Sequence, residues 1–134
     1  MTSHSSQITT NNNKSQLKSR DVKVRAYEFS LAIIKFVNSL PPKQAFRTIG
    51  DQLLRSSTSI GANLIEAKAS SSRKEFIKYY QIALKSGDET QYWLALLRDS
   101  YKGLAPKCDI LLSESKEICS MIASSVITLK NKIF

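Results

Sequence analysis

QLLRSSTSIGANLIEAKASSSRKEFIKYYQIALKSGDETQYW, residues 52–93, is the stretch from which the fold can be read. An apolar pattern of helical period runs up to three serines at 70–72, and a second such pattern begins at once. Ser72 and Glu75 have the S-x-x-E spacing of a capping box, in which the hydroxyl and the carboxylate each take an amide of the first helical turn. So short a connection makes the two helices antiparallel neighbours.

Outward from this pair, apolar residues recur in alternating steps of four and three. Val22, Ala26, Phe29, Ile33, Phe36 and Leu40 mark a first helix, which Pro41 and Pro42 stop by removing donors and restricting the preceding residue. The second series is Phe46, Gly50, Leu53, Ser57, Ile60, Leu64 and Ala67. The third is Phe76, Tyr80, Ala83, Gly87, Thr90, Leu94, Leu97 and Tyr101, ended by Gly103 and restarted by Pro106. Leu112, Ser115, Cys119, Ile122, Val126, Leu129 and Ile133 form the fourth. A mean step of about 3.5 residues favours left-handed knobs-into-holes packing. The fold class is therefore all-α, an antiparallel up-down-up-down four-helix bundle over residues 21–134.

Flanking positions widen the stripes. Tyr27, Leu31 and Ile34 add an apolar edge to helix one, and Tyr79, Ile82, Trp93 and Leu96 add one to helix three. With Tyr92 as well, helix three is apolar nearly all round, so it is expected to be covered on more than one side, as in a homo-oligomer. Gly50, Ser57, Ala83 and Gly87 are small where Leu or Ile would fill a seam, which predicts close approach of helices two and three.

Residues 1–20 read as a disordered, polar, basic tail: only Met1, Ile8 and Leu17 have anything to bury. No run approaches the roughly 18 apolar residues of a membrane helix, and the tail lacks the apolar core of a secretion signal. A cytoplasmic location follows as the expectation. Cys108 and Cys119, eleven residues apart on one helix, lie about 16 Å apart, well beyond the roughly 7 Å that a disulfide spans. They read as reduced thiols.

The only histidine is His4, and the chain has no metal-ligand spacing, no Gly-rich phosphate loop and no nucleophile elbow. Glu66 and Glu89 are the one carboxylate pair an enzyme would use, and no cleft or partner residue supports them. We therefore expect a non-enzymatic protein without cofactor or metal. Arg55, Asn63, Glu66 and Glu89 instead read as structural polar residues on the flanks of helices two and three. There Arg55–Glu89 or Arg73–Glu66 pairs would satisfy charges close to apolar faces.

The net charge is +9, and beyond the tail seventeen bases face eleven acids. Lys68, Arg73, Lys74, Lys78 and Lys85 fall within eighteen residues that hold one acid, Glu75. Lys74, Lys78 and Lys85 share a helix face beside Tyr79 and Tyr80, and the stripe begins at a helix N-terminus, where free amides favour anions. Such an arrangement can hold phosphates while a ring stacks on a base, and it can equally be a solvated surface with tyrosines in the core.

The segments SIGANLIEA (59–67), SSRKEF (71–76) and IALKS..ET (82–90) carry a resemblance. They are similar to bacterial four-helix-bundle proteins that include those encoded in intervening sequences within ribosomal RNA genes and the accessory proteins of diversity-generating retroelements. By helix order and loop placement the resemblance extends over roughly residues 21–131. The family pattern ANIAEG is ANLIEA here, so Asn63 and Glu66 match while Ala67 replaces the closing glycine, and helix two is expected to continue to Lys68 or Ala69. The resemblance implies a ring-shaped pentamer without enzymatic activity, working with nucleic acid and with a partner such as a reverse transcriptase. The function expected is an oligomeric bundle that binds RNA or DNA with little sequence preference. The alternative is an interaction scaffold that docks a partner protein on apolar helix faces.

Overall fold

A computed structural model describes residues 18–132. Four helices follow one another: α1 (Val22–Asn38), α2 (Gln44–Lys68), α3 (Arg73–Ser100) and α4 (Ala105–Asn131), with a 3-10 turn at Lys102–Leu104 leading into α4. The described residues contain no strand. Each helix packs on its sequence neighbours, and α4 closes the bundle against α1, while the backbones of the diagonal pairs do not approach closely. The expected element order is thus present. Residues 1–17 and 133–134, which include most of the proposed tail and the seam residue Ile133, lie outside the described residues.

Local chemistry explains each boundary. Asp21 caps α1, its Oδ1 accepting the Lys23 amide at 2.9 Å. Two prolines separate α1 from α2, and Ala69 closes α2 one residue past Lys68. Ser72 caps α3, with Oγ accepting the Glu75 amide at 3.1 Å; Glu75 Oε1 in return accepts the amide of Ser71, one residue earlier than a standard capping box uses. Pro106 occupies the first turn of α4, where its missing N–H costs nothing. The run Ser56-Ser57-Thr58-Ser59 stays helical because all four hydroxyls donate to carbonyls three or four residues back.

The predicted stripes form the core. Ile33, Leu53, Ile60, Leu64, Leu94, Leu97 and Ile122 are fully buried, as are Ala26, Ala67 and Ala83. The fourth stripe is wider than expected, since α4 packs on both α3 and α1: Cys108, Leu111 and Ile118 are buried with it, and Cys119 is only half-buried. Tyr101 leaves its stripe. Helix α3 stops at Ser100, the Tyr101 backbone is extended, and Leu104 of the 3-10 turn is buried at that end instead. Both cysteines are free thiols, and burial pushes Cys108 up to about 11.

The small-residue seam is corrected in its partner. A Cβ at Gly87 would collide with Cys119 Sγ of α4, while Ile60 of α2 stays at ordinary contact distance, 3.9 Å. Gly50 likewise faces Leu40 and Val37, at the α1–α2 end, and not α3. Close approach at Gly87 therefore belongs to the α3–α4 pair.

Candidate functional site

The serine turn places the basic residues. Ala69 and Ser70 return their amides to the last carbonyls of α2, and the Ser70 hydroxyl also reaches Ala67 O at 2.6 Å. The chain then reverses and α3 starts with Arg73 and Lys74 exposed on its first turn. Because α4 runs antiparallel to α3, its last turn arrives beside this first turn. Between them is an open groove of about 860 Å³, with Arg73, Lys74 and Lys78 on the α3 side, Lys130 on the α4 side, and Ile77 and Leu129 between. Arg73 Nη1 also donates to Lys132 O at 3.3 Å, which ties the two helix ends together.

The structure brings together three of the five predicted bases and spreads the others. Lys68 lies across the serine turn in a smaller adjoining groove with Ser71, Arg73 and Phe76. Lys85 is exposed farther along α3 and lines neither groove. Lys130 was not among the predicted residues; its signal was the topology, which sets the end of helix four against the start of helix three. Glu75 lines the groove as well, with one carboxylate oxygen committed to the Ser71 amide.

The tyrosines beside the stripe differ from a stacking platform. Tyr80 is buried at 6% exposure and stacks on Phe76 with ring centroids 4.5 Å apart. Its hydroxyl pKa is raised, chiefly by burial. Tyr79 is half-buried, and Lys78 Nζ sits 5.3 Å from its ring centroid.

The structural polar residues require correction. Arg55, Glu66 and Glu89 are all exposed on the chain. Among the described residues no ion pair joins Arg55 to Glu89; Glu89 Oε2 instead accepts the Trp93 indole N–H at 3.1 Å, one turn away. Asn63 is half-buried and donates to Ser59 O within its own helix. The physical reason is angular: these residues sit at the edge of their stripes, where a long side chain reaches water without needing a partner.

The buried charge lies elsewhere. Arg25, 5% exposed, donates from Nε and Nη2 to Glu114 at 3.1 and 2.8 Å, and its Nη2 lies 2.6 Å from Glu117 Oε1. Hydrogen bonding to Glu114 leads the effects that raise the Arg25 pKa, and the Arg25 hydrogen bond holds the Glu117 carboxyl below its usual range. Sequence reasoning missed this cluster because Arg25 precedes a seam alanine and its acids lie about ninety residues away.

A separate apolar face points outward from α1. Val24, Tyr27, Leu31 and Ile34 are 42%, 65%, 52% and 42% exposed, in steps of three, four and three. On α3, Tyr92 is exposed while Trp93 and Leu96 are half-buried, so the larger outward apolar stripe is on helix one rather than helix three. Among the described residues no group of His, Cys, Asp and Glu is placed to hold a metal, and no helix is long and apolar enough to cross a membrane.

Comparison with known proteins gives likenesses of two kinds, to a sequence family and to solved structures. The sequence model of the 23S rRNA-intervening sequence protein family matches residues 18–124. A crystal structure of a protein of unknown function from the S23 ribosomal protein family of Bacteroides thetaiotaomicron VPI-5482 is similar at 36% identity and a TM-score of 0.73. The match covers 78% of this chain and 94% of that one. No curated protein matches.

Proposed function

The chain belongs to the 23S rRNA-intervening sequence protein family, and from that footing we propose that it is a non-enzymatic helical bundle that binds RNA or DNA through phosphates with little sequence preference. The observation that carries this reading is the groove at the start of α3, where Arg73, Lys74 and Lys78 face Lys130 across an apolar floor. Cations on two walls can contact one backbone from both sides. The amides of the first turn of α3 add positive potential at the same place. Lys68 and Lys85 extend the surface in either direction. The test is filter binding of a structured RNA across a salt series. Binding that weakens steeply with salt supports the reading, because each phosphate contact contributes about 0.9 to the log–log slope on a duplex. Absence of binding at low salt removes it.

The second part of the proposal is that copies of the chain assemble, with a pentameric ring favoured by the family resemblance. Its support is the α1 stripe of Val24, Tyr27, Leu31 and Ile34, since a helix apolar on two sides is normally covered on both. A ring would present the basic groove repeatedly and raise affinity through avidity. Light scattering should give several times the chain mass of 15.0 kDa, and Tyr27→Glu with Leu31→Glu should reduce it to that mass while helicity is kept. A wild-type mass near that of one chain overturns assembly. The α1 stripe would then be free to dock another protein, such as a reverse transcriptase.

A further inference from the structure

Among the described residues the lining of the basic groove has no aromatic face to offer a base. Tyr80 is buried and stacked on Phe76, Phe76 is half-buried and lines the adjoining groove rather than this one, and Lys78 sits over the Tyr79 ring. The nearest exposed ring along the same helix face is Tyr92, seven residues beyond Lys85, and the exposed acids Asp88 and Glu89 stand between them. A phosphate chain following the lysines would meet those carboxylates before reaching that ring. What the groove does offer is charge on two walls, from Arg73, Lys74, Lys78 and Lys130.

From this we infer that the groove binds the backbone of a double-stranded nucleic acid, and that bases are neither stacked nor read there. The inference rests on the nucleic-acid reading above and specifies its ligand. Single-strand binders gain their affinity from bases stacked on rings, and loss of one such ring typically costs fivefold or more, by order of magnitude. Without rings, affinity comes from counterion release. That release is about 0.9 per contact on a duplex and about 0.7 on a single strand. For four cations the difference amounts to roughly sixfold in favour of the duplex near 0.1 M salt.

The experiment is fluorescence anisotropy with the full chain on four probes: a short RNA duplex, a DNA duplex of the same sequence, and an unstructured single strand of each. Both duplexes should bind with similar affinity, about fivefold or more tighter than either single strand. Tyr79→Leu and Tyr92→Ala should each change affinity by less than about twofold, well under the loss of a stacking ring. Combined substitution of Arg73, Lys74, Lys78 and Lys130 by Gln should abolish the preference for duplex. The same variant retaining Arg73 serves where the loss of its bond to Lys132 disturbs the helix ends.

Single strands that bind as tightly as duplexes, or a loss of about fivefold with either tyrosine variant, would overturn the inference and leave nucleic-acid binding in place. A strong preference for the RNA duplex over the DNA duplex would do the same, since it would mean that 2′-hydroxyls are read. Failure of all four probes to bind would remove the nucleic-acid reading itself.

Discussion

Gly87 and Cys119 form a fitted pair, with the sulfur occupying the space a side chain at Gly87 would need. A helix-interior Gly→Ala change ordinarily gains about 0.5–1 kcal/mol. Here overpacking, which costs about 1–3 kcal/mol, should outweigh that gain. Gly87→Ala is therefore expected to destabilise, and Cys119→Ala in the same chain should recover most of the loss. Urea melts of the double-mutant cycle measure the coupling, and additive effects would show that the two residues do not share the space. A second contrast separates buried from exposed charge. Arg25→Met should cost about 2 kcal/mol, below the 3–5 kcal/mol of a fully dry pair because Glu114 and Glu117 keep access to water. Arg55→Ala and Glu66→Ala should each fall within about 0.5 kcal/mol, as surface changes do.

Helix α1 is the shortest of the four, and its packing on α4 is the least extensive neighbour contact in the bundle. Asp21, Glu114 and Glu117 hold it, and two of these carboxyls have lowered pKa values. Asp21 is kept below its usual range first by the hydrogen bond from the Lys23 amide, and Glu117 by the hydrogen bond from Arg25. A carboxyl lowered in the folded state stabilises it fully above the unfolded value, 3.8 for Asp21 and 4.5 for Glu117, and the contribution is lost as pH falls through the lower folded values. Acid should therefore loosen α1 before the α2–α3–α4 packing fails. Amide protection factors, taken against the intrinsic rate at each pH, should fall in residues 22–38 ahead of 73–100 on going from pH 7 towards about pH 3.5. The stability difference between wild type and Arg25→Met should shrink over the same interval. Uniform exchange along the chain would show that α1 does not open separately.

The antiparallel order gathers the start of α1, the end of α2, the start of α3 and the end of α4 at one end of the bundle. Lys68, Arg73, Lys74, Lys130 and Lys132 lie at that end, against Glu66 and Glu75. Cations at the ends of α2 and α4 suit the negative ends of those helices, so the charge helps the fold whether or not a polyanion is bound. Removing residues 1–17 should leave helicity and the thermal midpoint nearly unchanged, since that segment contains only Met1, Ile8 and Leu17 as apolar side chains, and Lys18, which bonds Glu114, is retained. Circular dichroism of the truncated protein checks this. A midpoint lowered by more than about 4 °C would correspond to roughly 1 kcal/mol of lost packing. Affinity for a polyanion should fall modestly with Lys14.

Period and punctuation in the sequence determined the helices, because a stripe recurring every 3.5 residues can be buried only by a helix, and because Pro41, Pro42, the Ser72–Glu75 box and Pro106 act within a turn of where they stand. The same local reading placed Arg73, Lys74 and Lys78 on one exposed face. It did not decide which side chains from distant helices meet. That Lys130 completes the groove, that Cys119 fills the notch at Gly87, and that Arg25 finds Glu114 and Glu117 depend on the axial offset of packed helices, which is set by the fit of many side chains at once. For Tyr80 and Glu89 the outcome turned on rotation about the helix axis, and a small difference in angle separates a core ring from a stacking platform and a buried ion from a solvated one. Tertiary packing alone fixes that rotation, because only there does the free energy of burying one edge of a stripe compete with that of burying the other.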